Sequence, residues 1–362
     1  MPLGGQPAGL SWAARLAASP RFHAICARIP GLKHIARAEG RALFDIVSGF
    51  AQSQALLALV ELRVLHALHQ GPATTDILAR RSDLAADRMH ILLQAGAALK
   101  LLHHKRGAWH LSTRGAAFLT VPGLEAMVRH HGAFYADLAD PVALLRGQSE
   151  TQLARFWPYV FGAGGAVDPA VTALYSNLMS DSQGLVATDT LGLVDFSQTK
   201  HLMDVGGGTG AFLRAIGAAH PHLQLTLFDL PAVVANARPG PQATIHPGSF
   251  RDDPLPVGAD SISLVRVLYD HADSTVQALL AKVHATLPPG GRIIISEPMS
   301  GGVKPDPATD VYFALYTLAM QTGRTRSAAE IAALLQGAGF AAIKTRPGFR
   351  PYVTSVVTGQ KL

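Results

Sequence analysis

One stretch fixes the frame for the second half of this chain: a strand that runs straight into a glycine-rich turn and then a helix. It reads His201-Leu-Met-Asp-Val-Gly-Gly-Gly-Thr-Gly210, and the helical pattern spans Ala211 to Ala219. A second strand, Leu223-Gln-Leu-Thr-Leu-Phe-Asp229, ends in an acid. Glycines let the backbone turn tightly and approach a ligand closely. An acid at the tip of the next strand accepts both hydroxyls of a ribose. Together they mark a nucleoside-cofactor site.

From residue 201 onward, strand and helix patterns alternate. Strand patterns fall at 201–206, 223–230, 243–247, 260–268, 291–298, 341–346 and 352–358, with helical patterns at 210–219, 231–237, 274–287 and 327–338. The link from Pro347 to Pro351 is short enough to pair the last two strands as a hairpin. The expectation is an α/β fold, a seven-stranded doubly wound sheet that is mostly parallel with an antiparallel last strand.

Residues 42–170 read as mostly helical. Ala55 to His69 places Leu56, Val60, Val64 and Leu68 at helical spacing, and Gly71-Pro72 stops it. Thr74-Thr75-Asp76 can cap a short helix through Arg81. Ala86 to Leu99 forms another, with Met89, Leu92 and Leu93 on one face. Leu101-Leu102 and Trp109-His-Leu111 then flank a basic turn and predict a hairpin. Helix, helix, helix, hairpin is a winged-helix arrangement, which is often a DNA reader. Here the would-be recognition helix offers only Arg88, His90, Gln94 and Lys100 as polar contacts. That points to a dimerisation or scaffold role, with no nucleic acid expected. Residues 123–190 are expected to add helices that line a pocket, with Tyr135, Phe156, Trp157, Tyr159 and Phe161 as its aromatic surface and a new helix from Tyr175. The expected division is a basic arm over 1–41, a helical domain over 42–170 and a cofactor-binding domain over 171–362.

The arm holds Arg15, Arg21, Arg28, Lys33, Arg37 and Arg41 against one acid, Glu39, and so carries most of the net charge of +6. Trp12, Leu16, Phe22, Ile25, Ile29 and Ile35 are interleaved with these bases. Such a segment suits either an anionic lipid surface or packing on the body or a partner chain, and Pro30-Gly31 is expected to interrupt a long amphipathic helix. No 18-residue apolar run free of charge is present, so no membrane-spanning helix is expected, and the N-terminus lacks the pattern of a signal peptide. The single cysteine, Cys26, excludes a disulfide framework and a cysteine-based metal site and fits a cytoplasmic location.

A glycine cluster after a strand also occurs in dinucleotide enzymes. Gly206 and Gly208 match that spacing, but Ala211 stands where the third glycine belongs. Asp204 lies two residues before the glycines, where a carboxylate repels a pyrophosphate and suits a cationic amino group. With Asp229 on the ribose, the charge layout favours S-adenosylmethionine over a dinucleotide. Each residue also has a plainer reading: Gly206 to Gly210 as a tight turn, Asp229 as a helix cap before Pro231, and Phe250 as core.

Asp204-Val-Gly-Gly-Gly-Thr-Gly210, Phe228-Asp-Leu-Pro231, Pro247-Gly-Ser-Phe250 and Leu287-Pro-Pro-Gly-Gly-Arg-Ile-Ile-Ile-Ser-Glu-Pro298 resemble the class I S-adenosylmethionine-dependent O-methyltransferases with an N-terminal winged-helix dimerisation domain. The resemblance covers nearly all of the chain beyond about residue 40. It implies a Rossmann-like methyltransferase sheet, a homodimer, and S-adenosylhomocysteine as the spent cofactor. It further implies that Gly206, Gly207, Gly208, Asp229 and Leu230 contact the cofactor, that Ser249 and Phe250 flank the adenine, and that Arg266 lies near its reacting end.

Plant-like members of the family carry Leu-His-Asp-Trp after the fourth strand, with the histidine as general base. This chain reads Arg266-Val-Leu-Tyr-Asp-His-Ala-Asp273, so Tyr269 takes the base position and His271 that of the tryptophan. Tyrosine ionises near pH 10 and histidine near 6.5, so the histidine mechanism does not simply transfer. Tyr269, with Arg266 near enough in sequence to lower it, and His271 are both candidates, and positioning alone is a third reading. Glu297 matches a family carboxylate beside the base. Tyrosine at this position resembles the family's members in photosynthetic pigment pathways, as do Met179-Ser-Asp-Ser-Gln183, Pro305-Asp-Pro-Ala-Thr-Asp-Val-Tyr-Phe313 and Gly323-Arg-Thr-Arg-Ser327. That resemblance implies methylation of a tertiary hydroxyl on a long acyclic carotenoid, delivered from the photosynthetic membrane. Arg324 and Arg326 are expected to gate the pocket, contact a partner subunit or cap the helix that starts at Ser327. Methylation of a bacteriochlorophyll-type macrocycle or a polyketide phenol is the alternative, and a winged-helix DNA-binding regulator the alternative of another class.

Overall fold

The computed structural model describes residue 9 and residues 11–26, 28–156, 182–302 and 304–362. Trp157, Tyr159, Phe161 and the helix start at Tyr175 lie outside the described residues. The chain divides into two compact units, Met1–Ala117 and Phe118–Leu362.

The first unit contains α1 (Trp12–Ala17), α2 (Pro20–Cys26), α3 (Pro30–Glu61), α4 (Val64–Gln70), α5 (Thr75–Arg81), α6 (Ala86–Ala98), β1 (Leu102–Lys105) and β2 (Ala108–Leu111). The helical run of the arm is interrupted before Pro30, as expected: α2 ends at Cys26 and a separate 32-residue helix begins at Pro30. At the first helical position its missing N–H has no partner to lose. The single helix expected over 55–69 is divided at Leu62-Arg63, where Arg63 adopts a left-handed φ of 52°. Thr74 caps α5 by accepting the Ile77 N–H. The hairpin β1–β2 forms with Leu102 opposite Leu111, and Ala73 adds a bridge to Trp109. Val64, Leu65, Leu68, Leu78, Met89, Leu93 and Trp109 are buried, so α4 to α6 and the wing share one core. By length and composition Gly31–Glu61 is apolar enough to cross a membrane. Asp45 keeps its apolar stretch from being free of charge. Leu43, Phe44, Ile46, Val47 and Phe50 on this helix are exposed.

The helix α7 (Thr113–Thr120) bridges the division. The second unit continues with α8 (Leu124–Asp137), α9 (Pro141–Leu145) and α10 (Gln152–Phe156), then α11 over 182–193. The sheet strands and their connections follow: β3 (His201–Val205), α12 (Ala211–Ala219), β4 (Gln224–Asp229), α13 (Pro231–Val234), β5 (Ala243–Pro247), β6 (Ser261–Val265), α14 (Asp273–Thr286) and β7 (Arg292–Glu297). After β7 come a π-type helical segment (Pro307–Phe313), α15 (Ala314–Ala319), α16 (Ala328–Gly337), β8 (Phe340–Arg346) and β9 (Ser355–Lys361). The helical stretch 307–319 was not anticipated from the sequence.

The strand order is β5-β4-β3-β6-β7-β9-β8. Pairs among β5, β4, β3, β6 and β7 are parallel, whereas β9 runs antiparallel to both β7 and β8. This is the expected doubly wound sheet with its terminal hairpin. Strands β3, β6 and β7 are buried along nearly their whole length because both faces are covered. One core packs Ile262, Leu264, Leu280, Ile293 and Leu335, and the other packs Phe196, Leu202, Phe212, Leu213 and Ile294. The order reverses direction beside β3. That leaves a crevice outside the carboxyl ends of β3, β4 and β6, where open α/β sheets bind their ligands.

Candidate active site

Each strand that meets the crevice contributes one piece. The turn after β3 is anchored by the Gly206 N–H, which donates to the Phe228 carbonyl at 2.8 Å. Gly208 has a φ of +62° and open space where a side chain would stand, so its backbone faces the crevice bare. Its N–H donates to Asp229 Oδ2 at 2.7 Å, and the Leu230 N–H donates to Oδ1 at 2.7 Å. Asp229 is therefore held at the tip of β4 with lone pairs left on both oxygens. Its surroundings are dry enough to raise its pKa to about 6, against the pull of those two backbone donors.

Asp204 lies beneath the turn rather than in the crevice. It is 0 % exposed, and a side chain on Gly207 would overlap its Oδ2. Oδ1 accepts the Ser263 hydroxyl at 2.6 Å, whereas Oδ2 has no hydrogen-bond partner among the described residues. Burial raises this carboxyl to about 7, opposed by Ser263, with Asp229 adding to the rise. A positive ligand group above the turn stabilises its ionised form. A cationic amino acid joined to a ribose fits this donor and acceptor set: fixed acceptors at Asp229, bare backbone at Gly208 and latent negative charge below.

The loop after β5 supplies Ser249 and Phe250. Ser249 is buried, its hydroxyl donating to Asp252 at 2.9 Å and its N–H to Asp253 at 2.7 Å. Phe250 packs on the core and meets the His271 ring edge-on at 5.2 Å between centroids. Arg251 Nη2 donates to His271 Nδ1 at 3.1 Å, so the ring proton sits on Nε2. Burial first, then the charges on Arg251 and Arg326, lower His271 to about 3. His271 is thus a neutral ring facing Phe250 and Arg251.

The turn after β6 carries the remaining groups. Arg266 adopts a φ of 58°, a conformation that costs a residue with a side chain on the order of 1–3 kcal/mol and that clusters at functional sites. Its N–H donates to the Ser296 carbonyl at 2.8 Å. Its guanidinium reaches Ser182 Oγ at 2.7 Å and the Tyr269 hydroxyl at 3.4 Å. Burial nevertheless pushes the Tyr269 phenol above its usual value, outweighing the opposing Arg266 charge. Glu297 Oε2 at the end of β7 accepts the N–H groups of Leu268 and Tyr269 at 3.0 and 3.3 Å. Burial raises Glu297 to about 7 and Asp270 well above its ordinary value.

Several groups beside this site escaped the sequence reading. His131 Nε2 is 2.8 Å from the Tyr312 hydroxyl and His130 Nε2 is 2.6 Å from that of Tyr316. Burial raises the Tyr312 phenol above its usual value, opposed by the nearby charge of Arg266. Its signal was a histidine doublet in a helical run facing tyrosines four residues apart. Arg324 is exposed and pairs with Asp273 and Glu330 at 3.2 and 2.8 Å. Arg326 is fully buried, so it is no gate.

Comparison with known proteins agrees with this geometry. A family model described as the O-methyltransferase domain matches residues 135–341, and one described as the O-methyltransferase dimerisation domain matches residues 44–121. The chain is 62% identical over 353 residues to demethylspheroidene O-methyltransferase of Cereibacter sphaeroides, covering 95% of this chain and 93% of that one. It is 58% identical over 357 residues to demethylspheroidene O-methyltransferase of Rhodobacter capsulatus, covering 98% and 91%. Human N-acetylserotonin methyltransferase in complex with SAM superposes with a TM-score of 0.78 at 25% identity, over 89% of this chain and 97% of that one. With the glycine turn, the acid at the tip of β4 and the dimerisation domain all in place, the chain belongs to the S-adenosylmethionine-dependent O-methyltransferase family.

Proposed function

We propose that this protein transfers a methyl group from S-adenosylmethionine to a tertiary hydroxyl of a long acyclic carotenoid of the demethylspheroidene type. The identity of 62% and 58% to two demethylspheroidene O-methyltransferases over nearly the whole chain carries the choice of acceptor. When bound, S-adenosylmethionine supplies a methyl on a sulfonium whose leaving group is a neutral thioether. The residues of the chain then have to align the acceptor oxygen and manage its proton.

In this reading Asp229 accepts the ribose hydroxyls, and Leu230, Ser249 and Phe250 border the adenine. Gly206, Gly207 and Gly208 present backbone to the amino-acid end, with Asp204 acting from below as a negative charge. His271 stands beside Phe250 and serves the adenine side, not as base. Tyr269 remains a neutral phenol and orients the acceptor hydroxyl by hydrogen bonding, and the hydroxyl proton passes to water as the new oxygen–methyl bond makes that oxygen acidic. Arg266 steadies the Tyr269 oxygen, and Glu297 holds the backbone that carries it.

The dimerisation domain supports a homodimer. We divide the chain into an arm over 1–41, a helical domain over 42–170 and a cofactor domain over 171–362. In the arm, Trp12, Ile25, Ile29 and Ile35 are exposed beside Arg15, Arg21, Arg28, Lys33, Arg37 and Arg41. That surface supports peripheral contact with an anionic membrane that holds the carotenoid. Co-flotation with anionic but not neutral vesicles is the expected outcome, and equal flotation with both contradicts it. The activity itself is tested by incubating the purified protein with S-adenosylmethionine and a 1-hydroxy acyclic carotenoid. A methyl ether by mass spectrometry is expected, and its absence when cofactor binding is intact removes this acceptor.

A further inference from the structure

The turn Leu268–His271 is gripped on both sides. Its N–H side is held by Glu297, as described above. Its carbonyl side faces residues 322–326, which the mechanism leaves without a task. Thr322 Oγ1 donates to the Asp270 carbonyl at 3.0 Å. Gly323 lies so close that a side chain there would overlap the Tyr269 carbonyl oxygen. Arg326 Nη1 donates to the Leu268 carbonyl and Nη2 to the His271 carbonyl, each at 2.8 Å. The same guanidinium meets Asp273 Oδ1 through Nε at 2.9 Å and Nη2 at 2.6 Å.

We propose that Arg326 is a positioning residue of the methyl-transfer step, which fixes the place of the Tyr269 hydroxyl by tying together the carbonyl oxygens on either side of it. This rests on the reading of Tyr269 as the group that orients the acceptor. A guanidinium is the side chain that suits the task. Its planar fork reaches two carbonyls three residues apart and a carboxylate at once, which an ammonium on a flexible stem does not reproduce. Burying the cation is tolerable because Asp273 neutralises it and four of its hydrogen bonds are short. The clamp also explains the neighbourhood: with Arg326, Thr322 and Gly323 on one side and Glu297 on the other, the backbone beside Tyr269 has no room to shift. A displacement of about 1 Å in an aligning group is enough to slow a reaction by about 100-fold.

The test measures kcat, acceptor KM and cofactor affinity in Arg326→Ala, Arg326→Lys, Asp273→Asn and Arg324→Gln, with Tyr269→Phe alongside. Arg326→Ala is expected to lower kcat by about 100-fold while cofactor Kd changes less than about threefold, and added methylguanidinium to restore about tenfold. Arg326→Lys is expected to stay slow, and Arg324→Gln, at the surface, to keep normal turnover. If Arg326→Ala does not fold, Arg326→Lys and Asp273→Asn carry the test, each with kcat down about fivefold or more and cofactor Kd unchanged. Wild-type kcat in Arg326→Lys and Asp273→Asn overturns the proposal, as does a loss of cofactor binding in step with kcat. Wild-type turnover in Tyr269→Phe overturns the role of Tyr269 separately, because it leaves the slow, rescued Arg326→Ala to be explained by another group on the same turn.

Discussion

The Arg266 guanidinium lies 3.4 Å from the Tyr269 hydroxyl, and Tyr269 is still a neutral phenol at physiological pH. Arg266 favours the phenolate, but dry surroundings disfavour it more. A buried anion requires more than one long hydrogen bond from a single cation. In the proposed mechanism the tyrosine at the position of the family histidine therefore directs the acceptor hydroxyl and does not take its proton.

Tyr269→Phe removes one neutral hydrogen bond to the acceptor. Its turnover should fall by about 10-fold to 100-fold without vanishing, corresponding to about 1.4–2.8 kcal/mol. His271→Ala should fall less, because that ring faces Phe250 and Arg251. Steady-state kinetics of the two variants check the ranking, and the reverse order moves the function to His271. The rate should also lack a tyrosine-dependent limb between pH 6 and 9.

Asp229→Ala removes both acceptors offered to the ribose and releases the Gly208 and Leu230 N–H groups. Hydrogen bonds to a charged group contribute about 1.5–3 kcal/mol each, so affinity for S-adenosylmethionine should drop by more than about 100-fold. Calorimetry reads this directly, and unchanged affinity contradicts the site.

Asp204 makes the site sensitive to pH. Its pKa is about 7 in the cofactor-free fold and about 3.9 in an unfolded chain. Between those values the folded state holds a proton that the unfolded state has lost, so this contribution to stability declines as pH rises and is gone above about 7. A bound cation favours the ionised form, so cofactor affinity should rise over the same window. His130 and His271, lowered to about 4 and about 3, act in the opposite sense on stability. The informative quantity is thus the difference between wild type and Asp204→Asn. Melting temperatures from pH 5 to 8, with and without cofactor, should show the wild-type cofactor shift growing with pH more steeply than that of Asp204→Asn, which keeps only the titration of Asp229 near 6. Parallel curves contradict the role.

Much of the second unit was legible because its physics is local. Strands buried on both faces read as apolar runs, and glycine and acid at strand ends announce the crevice. The first unit was less legible. Pro30 marks the boundary between α2 and α3, whereas the left-handed Arg63 that divides α3 from α4 leaves no mark in the helical pattern. Site chemistry was legible in type but not in burial. The charge of Asp204 was readable from its place before the glycines, but its burial under Gly207 was not. Arg326 was open to three readings, a gate, a partner contact or a helix cap, and nothing near it in sequence reveals its burial against the carbonyls of Leu268 and His271. The pairing of His131 with Tyr312 joins positions 181 residues apart, which no local pattern encodes.

The acceptor is tested most directly by competition. Purified protein is given methyl-labelled S-adenosylmethionine and an equimolar mixture of a 1-hydroxy acyclic carotenoid, a polyketide phenol and a bacteriochlorophyllide. Label is expected in the methyl ether of the carotenoid, with the phenol and the macrocycle left unlabelled. Label in either of those, with the carotenoid unchanged, contradicts the proposed acceptor.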